Sequence, residues 1–196
     1  FSHIRGIIDE VCRENIKKPA FREMFLKDSI YTDREKSREY FVLSFSKCRD
    51  SITMWSEFGN KTGYNIGFRS DDIIARIEEA AEIAYHGLVV YDAKQQKQLI
   101  RRIICNYLPN LLRMSMDEIL ETGNQDRQNA AYLKACRKFR RTAEVYAMFF
   151  KHEGFAEEQE YRFIFKKQKN TVVYFRAKDG FMLPYIEIPL SDRNLP

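Results

Sequence analysis

Glu158, Glu160 and Arg162 fall at every second position of the run Phe155-Ala156-Glu157-Glu158-Gln159-Glu160-Tyr161-Arg162. In an extended strand, positions two apart share a face. This spacing would therefore set two carboxylates side by side with an arginine next to them. Like charges held close drive two carboxyls toward different protonation states, and burial strengthens the effect. One carboxylate could then act as a base while the other holds a hydroxyl. A carboxylate can also stabilise positive charge developing on a sugar ring as a glycosidic bond breaks. The plainer reading is an acidic loop leading into an internal Glu160–Arg162 balance, and both readings stay open at this point.

A second constellation begins at Ser44-Phe45-Ser46 and continues through Asp50, Trp55 and Gly63-Tyr64-Asn65-Ile66-Gly67-Phe68. Period two puts Ser44 and Ser46 on one strand face, where small hydroxyls leave room beside a cleft and can donate to a ligand oxygen. Trp55 could stack on a base or a sugar, with core packing as its default role. Gly67 inside a strand-like run suggests the close approach of another backbone or of a ligand, or a plain bulge.

Other chemistry is sparse. Cys12, Cys48, Cys105 and Cys136 have wide, irregular gaps, so zinc-ribbon spacing is absent. They read as free thiols in a reducing, cytoplasmic setting. A metal centre built on histidine would need His3, His86 and His152 together, and no metal site is expected. Lys134, Arg137, Lys138, Arg140 and Arg141 form a basic band that reads as the solvated side of a helix, with nucleic-acid contact as the alternative. No glycine-rich phosphate loop, GxSxG or HExxH motif occurs.

The elements that must position these residues alternate irregularly. Ile4, Ile7, Ile8 and Val11, then Phe21, Met24 and Phe25, predict two helical pieces separated at Pro19. Tyr31 to Arg38 is polar and reads as a loop. Tyr40 to Ser46 is a strand of aromatic and β-branched residues, and Asp50 is placed to cap a short helix ending near Trp55. Tyr64 to Phe68 reads as the next strand, followed by a helix from Asp71 or Asp72 to Ala84. Leu88 to Tyr91 reads as another strand. Gln96 to Met116 predicts helix broken at Pro109, 117–128 reads as a polar segment, and a long helix follows from about Asn129 to Phe150. Its stripe is Tyr132, Cys136, Phe139, Ala143, Tyr146 and Phe150. Gln159 to Phe165 and Thr171 to Arg176 predict strands. Asp179-Gly180 supplies a turn into Phe181–Leu190, whose Pro184 and Pro189 demote it to an edge. This order is α+β, with a mixed or antiparallel sheet and several packed helices.

The 196 residues suit one domain, with 94–150 as a largely helical insertion within it. Hydrophobic residues are 44% and aromatics 14%, which excludes a disordered chain. No apolar run approaches the roughly 20 residues of a membrane span, so no membrane partner is expected. The net charge of +5 permits anionic partners without demanding them. The chain opens at Phe1 with helix-like sequence under way and stops at Pro196 just after a strand-like run. The expectation is a fragment lacking N-terminal and some C-terminal sequence.

The combined pattern resembles the DUF2971 family, a group of bacterial proteins of unknown function. Phe41 to Ser46, Asp50, Met54-Trp55 and Gly63 to Phe68 match one family segment. Lys151, Phe155, Glu158, Glu160 and Arg162 match a second. Arg176, Gly180 and Pro184-Tyr185-Ile186 match a third. A more distant similarity links the small-hydroxyl strand and the Glu-x-Glu strand to arginine-type ADP-ribosyltransferases. That resemblance implies an ADP-ribosyltransferase-like fold, NAD as substrate, and roles for particular residues. Glu160 would position the ribose, Glu158 would orient or deprotonate the acceptor, and Ser46 would complete the catalytic set. Ser44, Trp55, Tyr64 and Arg162 would line the nucleotide site. It further implies a protein or nucleic-acid acceptor and a toxin or phage-defence setting. The residues alone also admit a metal-dependent hydrolase or nuclease-like enzyme, and a non-enzymatic binding or regulatory module.

Overall fold

A computed structural model of the chain describes residues 2–30, 40–59, 62–178 and 180–190. The loop expected at Tyr31–Arg38 and the turn residue Asp179 lie outside them. The described residues form two compact units, Phe1–Lys36 with Val89–Ala156, and Ser37–Leu88 with Glu157–Pro196. The architecture is α+β, with small antiparallel sheets beside many helices.

The first unit is helical. Helix α1 (Ser2–Asn15) buries Ile4, Ile7, Ile8 and Val11, the i, i+3, i+4, i+7 stripe of an amphipathic helix. Helix α2 (Pro19–Ser29) opens on a proline, whose missing N–H costs nothing in the first turn. Helix α5 (Ala93–Arg102) is capped by Asp92 and runs into a π-helical turn, Ile103–Tyr107, and then into α6 (Leu108–Leu112). Pro109 therefore does not break the helical run. It sits in the first turn of α6, and the stop comes at Arg113, whose φ of 54° is left-handed.

The segment 117–128, read from sequence as polar, contains helix α7 (Met116–Gln125). Ser115 caps it and Glu118 returns the bond to the Ser115 backbone, a reciprocal capping box. Helix α8 (Ala130–Phe149) starts where Asn129 accepts from the Ala131 and Tyr132 amides. Its stripe of Tyr132, Cys136, Phe139 and Ala143 is buried with Phe25, Ile100, Ile104 and Leu120. Burying each large side chain of that size contributes about 1.5–3 kcal/mol. Arg140, from the basic band, donates to the carbonyls of Ser29 and Asp28 at 2.9 and 3.1 Å and so closes the end of α2. Gln96, fully buried, is satisfied by the Val90 and Lys151 carbonyls and by His3.

The second unit is built on a three-stranded antiparallel sheet in the order β1 (Tyr40–Ser46), β3 (Glu160–Lys166), β2 (Ile83–Leu88). Phe163 and Phe165 of β3 lie on one face and are buried with Ile73 and Ile77 of helix α4 (Ser70–Ala80), with Phe41 and Phe45 packed around them. Helix α3 (Ile52–Phe58) is capped by Ser51 rather than by Asp50. A separate hairpin pairs β4 (Tyr174–Lys178) with β5 (Phe181–Tyr185) around Gly180, whose φ of +82° suits glycine.

Two strands predicted from sequence do not form where expected. Tyr64–Phe68 has no strand partner among the described residues and is exposed, Tyr64 to 95%. Without a ladder to join, its β propensity is not enough to make a strand. The strand expected at Leu88–Tyr91 lies upstream, at Ile83–Leu88. Residues after Val89 leave the sheet, and Val90 bridges Phe150 in the helical unit. The last strand ends at Tyr185 rather than Leu190.

Candidate functional site

The central strand β3 begins at Glu160, directly after Gln159, whose φ is +46°. Glu158 lies upstream of that kink, on the 3-10 helix Glu153–Glu158. Strand alternation therefore does not reach it, and the expected single face of Glu158, Glu160 and Arg162 is reduced to Glu160 and Arg162. These two form a bidentate ion pair. Arg162 donates from Nε to Glu160 Oε2 at 2.8 Å and from Nη2 to Oε1 at 2.9 Å. The side chains are 8% and 17% exposed, and such fork-to-fork geometry is the strong form of this interaction. Gly87 lies opposite Arg162 on β2 and presents no side chain to it.

Strand β1 places Ser46 opposite Glu160 and Ser44 opposite Arg162. Directly opposed residues of an antiparallel pair share a face. One face of the sheet thus gathers two serines, the carboxylate and the guanidinium. Ser46 Oγ donates to the Glu158 carbonyl at 2.8 Å and accepts from the Cys48 amide at 3.1 Å. The hydroxyl therefore ties the end of β1 to the segment that leads into β3. Ser44 is exposed on the same face.

Ser46 also lines a groove of about 180 Å³, with Arg49, Trp55, Gly59, Tyr64 and Asn65 among its walls. Trp55 is 39% exposed, and its indole Nε1 donates to Asp50 at 2.7 Å. Asn65 donates to the Arg49 carbonyl, which holds the loop across from the indole. Gly59 is required here, because a Cβ would stand 2.5 Å from the Trp55 carbonyl and 2.9 Å from its ring. A water occupies about 30 Å³ of liquid. The groove thus has the volume of about six liquid waters, room for one small ring. Sequence reading did not single out Arg49 or the bond from Thr53 to Glu157 at 2.8 Å. Arg49 stands three residues after the serine motif, a spacing that could have drawn attention to it.

On the opposite sheet face, His86 Nδ1 and the Tyr161 hydroxyl are 2.6 Å apart, and the imidazole stacks on Phe163. Burial, with the Glu78 charge behind it, pushes the Tyr161 hydroxyl above its ordinary pKa. In the helical unit, an open depression of about 590 Å³ over the π-helical turn is lined by Arg102, Asn106, Tyr107, Asn110 and Leu111. None of the residues singled out from sequence lies there. Among the described residues no group of three or more His, Cys, Asp or Glu is placed to hold a metal ion. Among the described residues no helix is long and apolar enough to cross a membrane.

A small antiparallel sheet with a polar face, connected to a helical unit by three passages of the chain, defines an α+β protein with a groove whose wall includes Ser46, the register partner of Glu160. The family model described as "Protein of unknown function (DUF2971)" matches residues 54–163, more than half of the chain, and the chain belongs to that family. The match takes in Trp55, the Tyr64 loop, Glu158, Glu160 and Arg162. No curated protein and no solved structure matches it.

Proposed function

We propose that this DUF2971 protein binds a nucleotide in the Trp55 groove and that its chemistry is ADP-ribosyl transfer from NAD. The observation that carries the reading is Ser46, which lines the groove and is also the register partner of Glu160. The groove takes one ring, which suits the nicotinamide or its ribose against the indole. Glu160 is held by Arg162 with its carboxylate oriented, and in this reading it positions the ribose. In the reaction the C1′–N bond breaks, its electron pair passes to the nicotinamide nitrogen, and positive charge develops on the ribose. The acceptor nucleophile then bonds to C1′ and gives its proton to Glu158.

Titration calorimetry with NAD and a nicotinamide-release assay test this directly. Trp55→Ala should weaken NAD binding about tenfold or more, the scale of a lost base–aromatic stack. Glu160→Gln should keep binding and lose nicotinamide release, with circular dichroism checking the fold. Failure of NAD to bind the folded wild-type protein overturns the proposal. The closed Glu160–Arg162 pair favours one second reading, a ligand-binding module without turnover. That reading predicts NAD binding that Trp55→Ala weakens, with no nicotinamide released by the wild type.

A further inference from the structure

Every residue of β4 and β5 except Tyr185 is exposed, including Phe175 at 60%, Phe181 at 73% and Met182 at 63%. A two-stranded hairpin is marginal by itself in water. This one is anchored at its base, where Ile186 and Ile188 pack on the Phe163–Phe165 cluster. Its two faces differ. The register pairs Tyr174 with Tyr185, Arg176 with Leu183 and Lys178 with Phe181 on one face. The other face carries Phe175, Ala177, Met182 and Pro184 and is apolar. On the first face the Tyr174 and Tyr185 rings are 5.6 Å apart, and the Arg176 guanidinium lies 5.8 Å from the centre of the Tyr185 ring.

The charge around the hairpin is mainly positive. From Tyr161 to Lys178 the chain carries Arg162, which is paired with Glu160, and Lys166, Lys167, Lys169, Arg176 and Lys178, with Asp179 and Glu187 as the next acids. The partner of such a segment is an anion. The alternation of aromatic rings and cations on a single face narrows the choice. Flat bases stack on rings while the phosphates between them meet the cations, which is how single strands are held without sequence preference. A membrane-seated hairpin would instead use the apolar face, with cations held away from it.

We propose that the Tyr174/Arg176/Lys178/Phe181/Tyr185 face of the hairpin is a binding surface for single-stranded nucleic acid. The proposal does not rest on the NAD reading, because neither Ser46, Trp55 nor Glu160 takes part. Fluorescence anisotropy of the full chain with a labelled single-stranded oligonucleotide tests it, across a series of salt concentrations. Tyr174→Ala and Phe181→Ala should each weaken binding about tenfold. Arg176→Gln and Lys178→Gln should each lower the slope of log affinity against log salt by about 0.7. All four are exposed or surface positions, and a far-UV spectrum checks the fold. Phe175→Ser and Met182→Ser, on the other face, should leave oligonucleotide binding within about twofold. The proposal is overturned by absence of binding at low salt, or by equal binding of duplex and single strand. It is also overturned by binding of phosphatidylserine vesicles that Phe175→Ser abolishes and Tyr174→Ala does not, because that assigns the hairpin to a membrane.

Discussion

Gly123 lies inside α7 and is buried, so two rules give opposite signs for Gly123→Ala. Helix propensity alone predicts a gain of about 1 kcal/mol, because glycine is the poorer helix former. The packing predicts a loss. An added Cβ would sit 2.3, 2.4 and 2.6 Å from three atoms of the Tyr132 ring. The ring would have to retreat by about 1 Å or more to recover ordinary carbon contacts of roughly 3.5 Å. Tyr132 is fully buried, and its hydroxyl donates to Asp28 at 2.7 Å. Overpacking of a filled core costs about 1–3 kcal/mol. A weakened hydrogen bond to a charged acceptor adds about 1.5–3 kcal/mol. Against the gain of about 1, the net destabilisation is about 3 kcal/mol. Urea unfolding followed by far-UV circular dichroism reports mainly on the helical unit. With a slope of about 2 kcal/mol/M the midpoint should fall by about 1.5 M. The same substitution in a Tyr132→Leu background should lose most of its penalty. Stabilisation of the wild-type chain, or a penalty unchanged in the Tyr132→Leu background, would refute the packing argument.

The remaining expectations concern charge and reactivity. Arg162→Met leaves the Glu160 carboxylate buried without its fork and should cost about 3–5 kcal/mol, while the Glu160→Leu/Arg162→Met double variant should recover much of it; a double-variant loss equal to the sum of the two single losses in a denaturant cycle would show that the pair is not coupled. Burial pushes the Cys12 and Cys136 thiols up to about 12, so both should resist maleimide at about pH 8 while exposed Cys105 reacts, as read by peptide mass spectrometry. Hydrogen bonds from the Ser115 backbone and hydroxyl hold the Glu118 carboxyl below its ordinary value of 4.5. Its contribution is therefore present above that pH and lost as pH falls through the lowered folded-state value. The stability gap between wild type and Ser115→Ala should accordingly narrow in acid, and a gap that widens there would contradict the capping-box reading.

Strong local patterns were legible in the sequence. Strand β1 falls where Tyr40–Ser46 was read, and α8 and β3 lie within a residue or so of their expected bounds. In each case one dense run of apolar residues carries a single period. Helix α7 escaped notice because its buried face is small, Ile119, Leu120 and Gly123, although the Ser115–Glu118 spacing announces its start. Tyr64–Phe68 misled for the opposite reason. Its residues favour a strand, and only tertiary pairing decides whether a strand exists. At the site, the Glu160–Arg162 balance and the Ser44–Ser46 face follow from period two. The left-handed turn at Gln159, which removes Glu158 from that face, has no sequence signature, since it falls on a residue other than glycine or asparagine.

The sheet order β1-β3-β2 also carries a timetable. Both outer strands leave the ribosome before the strand that joins them, and the helical unit from Val89 to Ala156 is made in between. At synthesis rates of 5–20 residues per second, β1 waits roughly 6–24 s for β3. During that interval the aromatic-rich Tyr40–Ser46 and the shorter Ile83–Leu88 are unpaired segments with open hydrogen-bonding edges, the state in which nascent chains mispair or recruit chaperones. The helical unit, whose last segment is complete first, can fold in that window. Arrival of Glu160–Lys166 is then the event that closes the sheet and assembles the serine, carboxylate and guanidinium face in a single step.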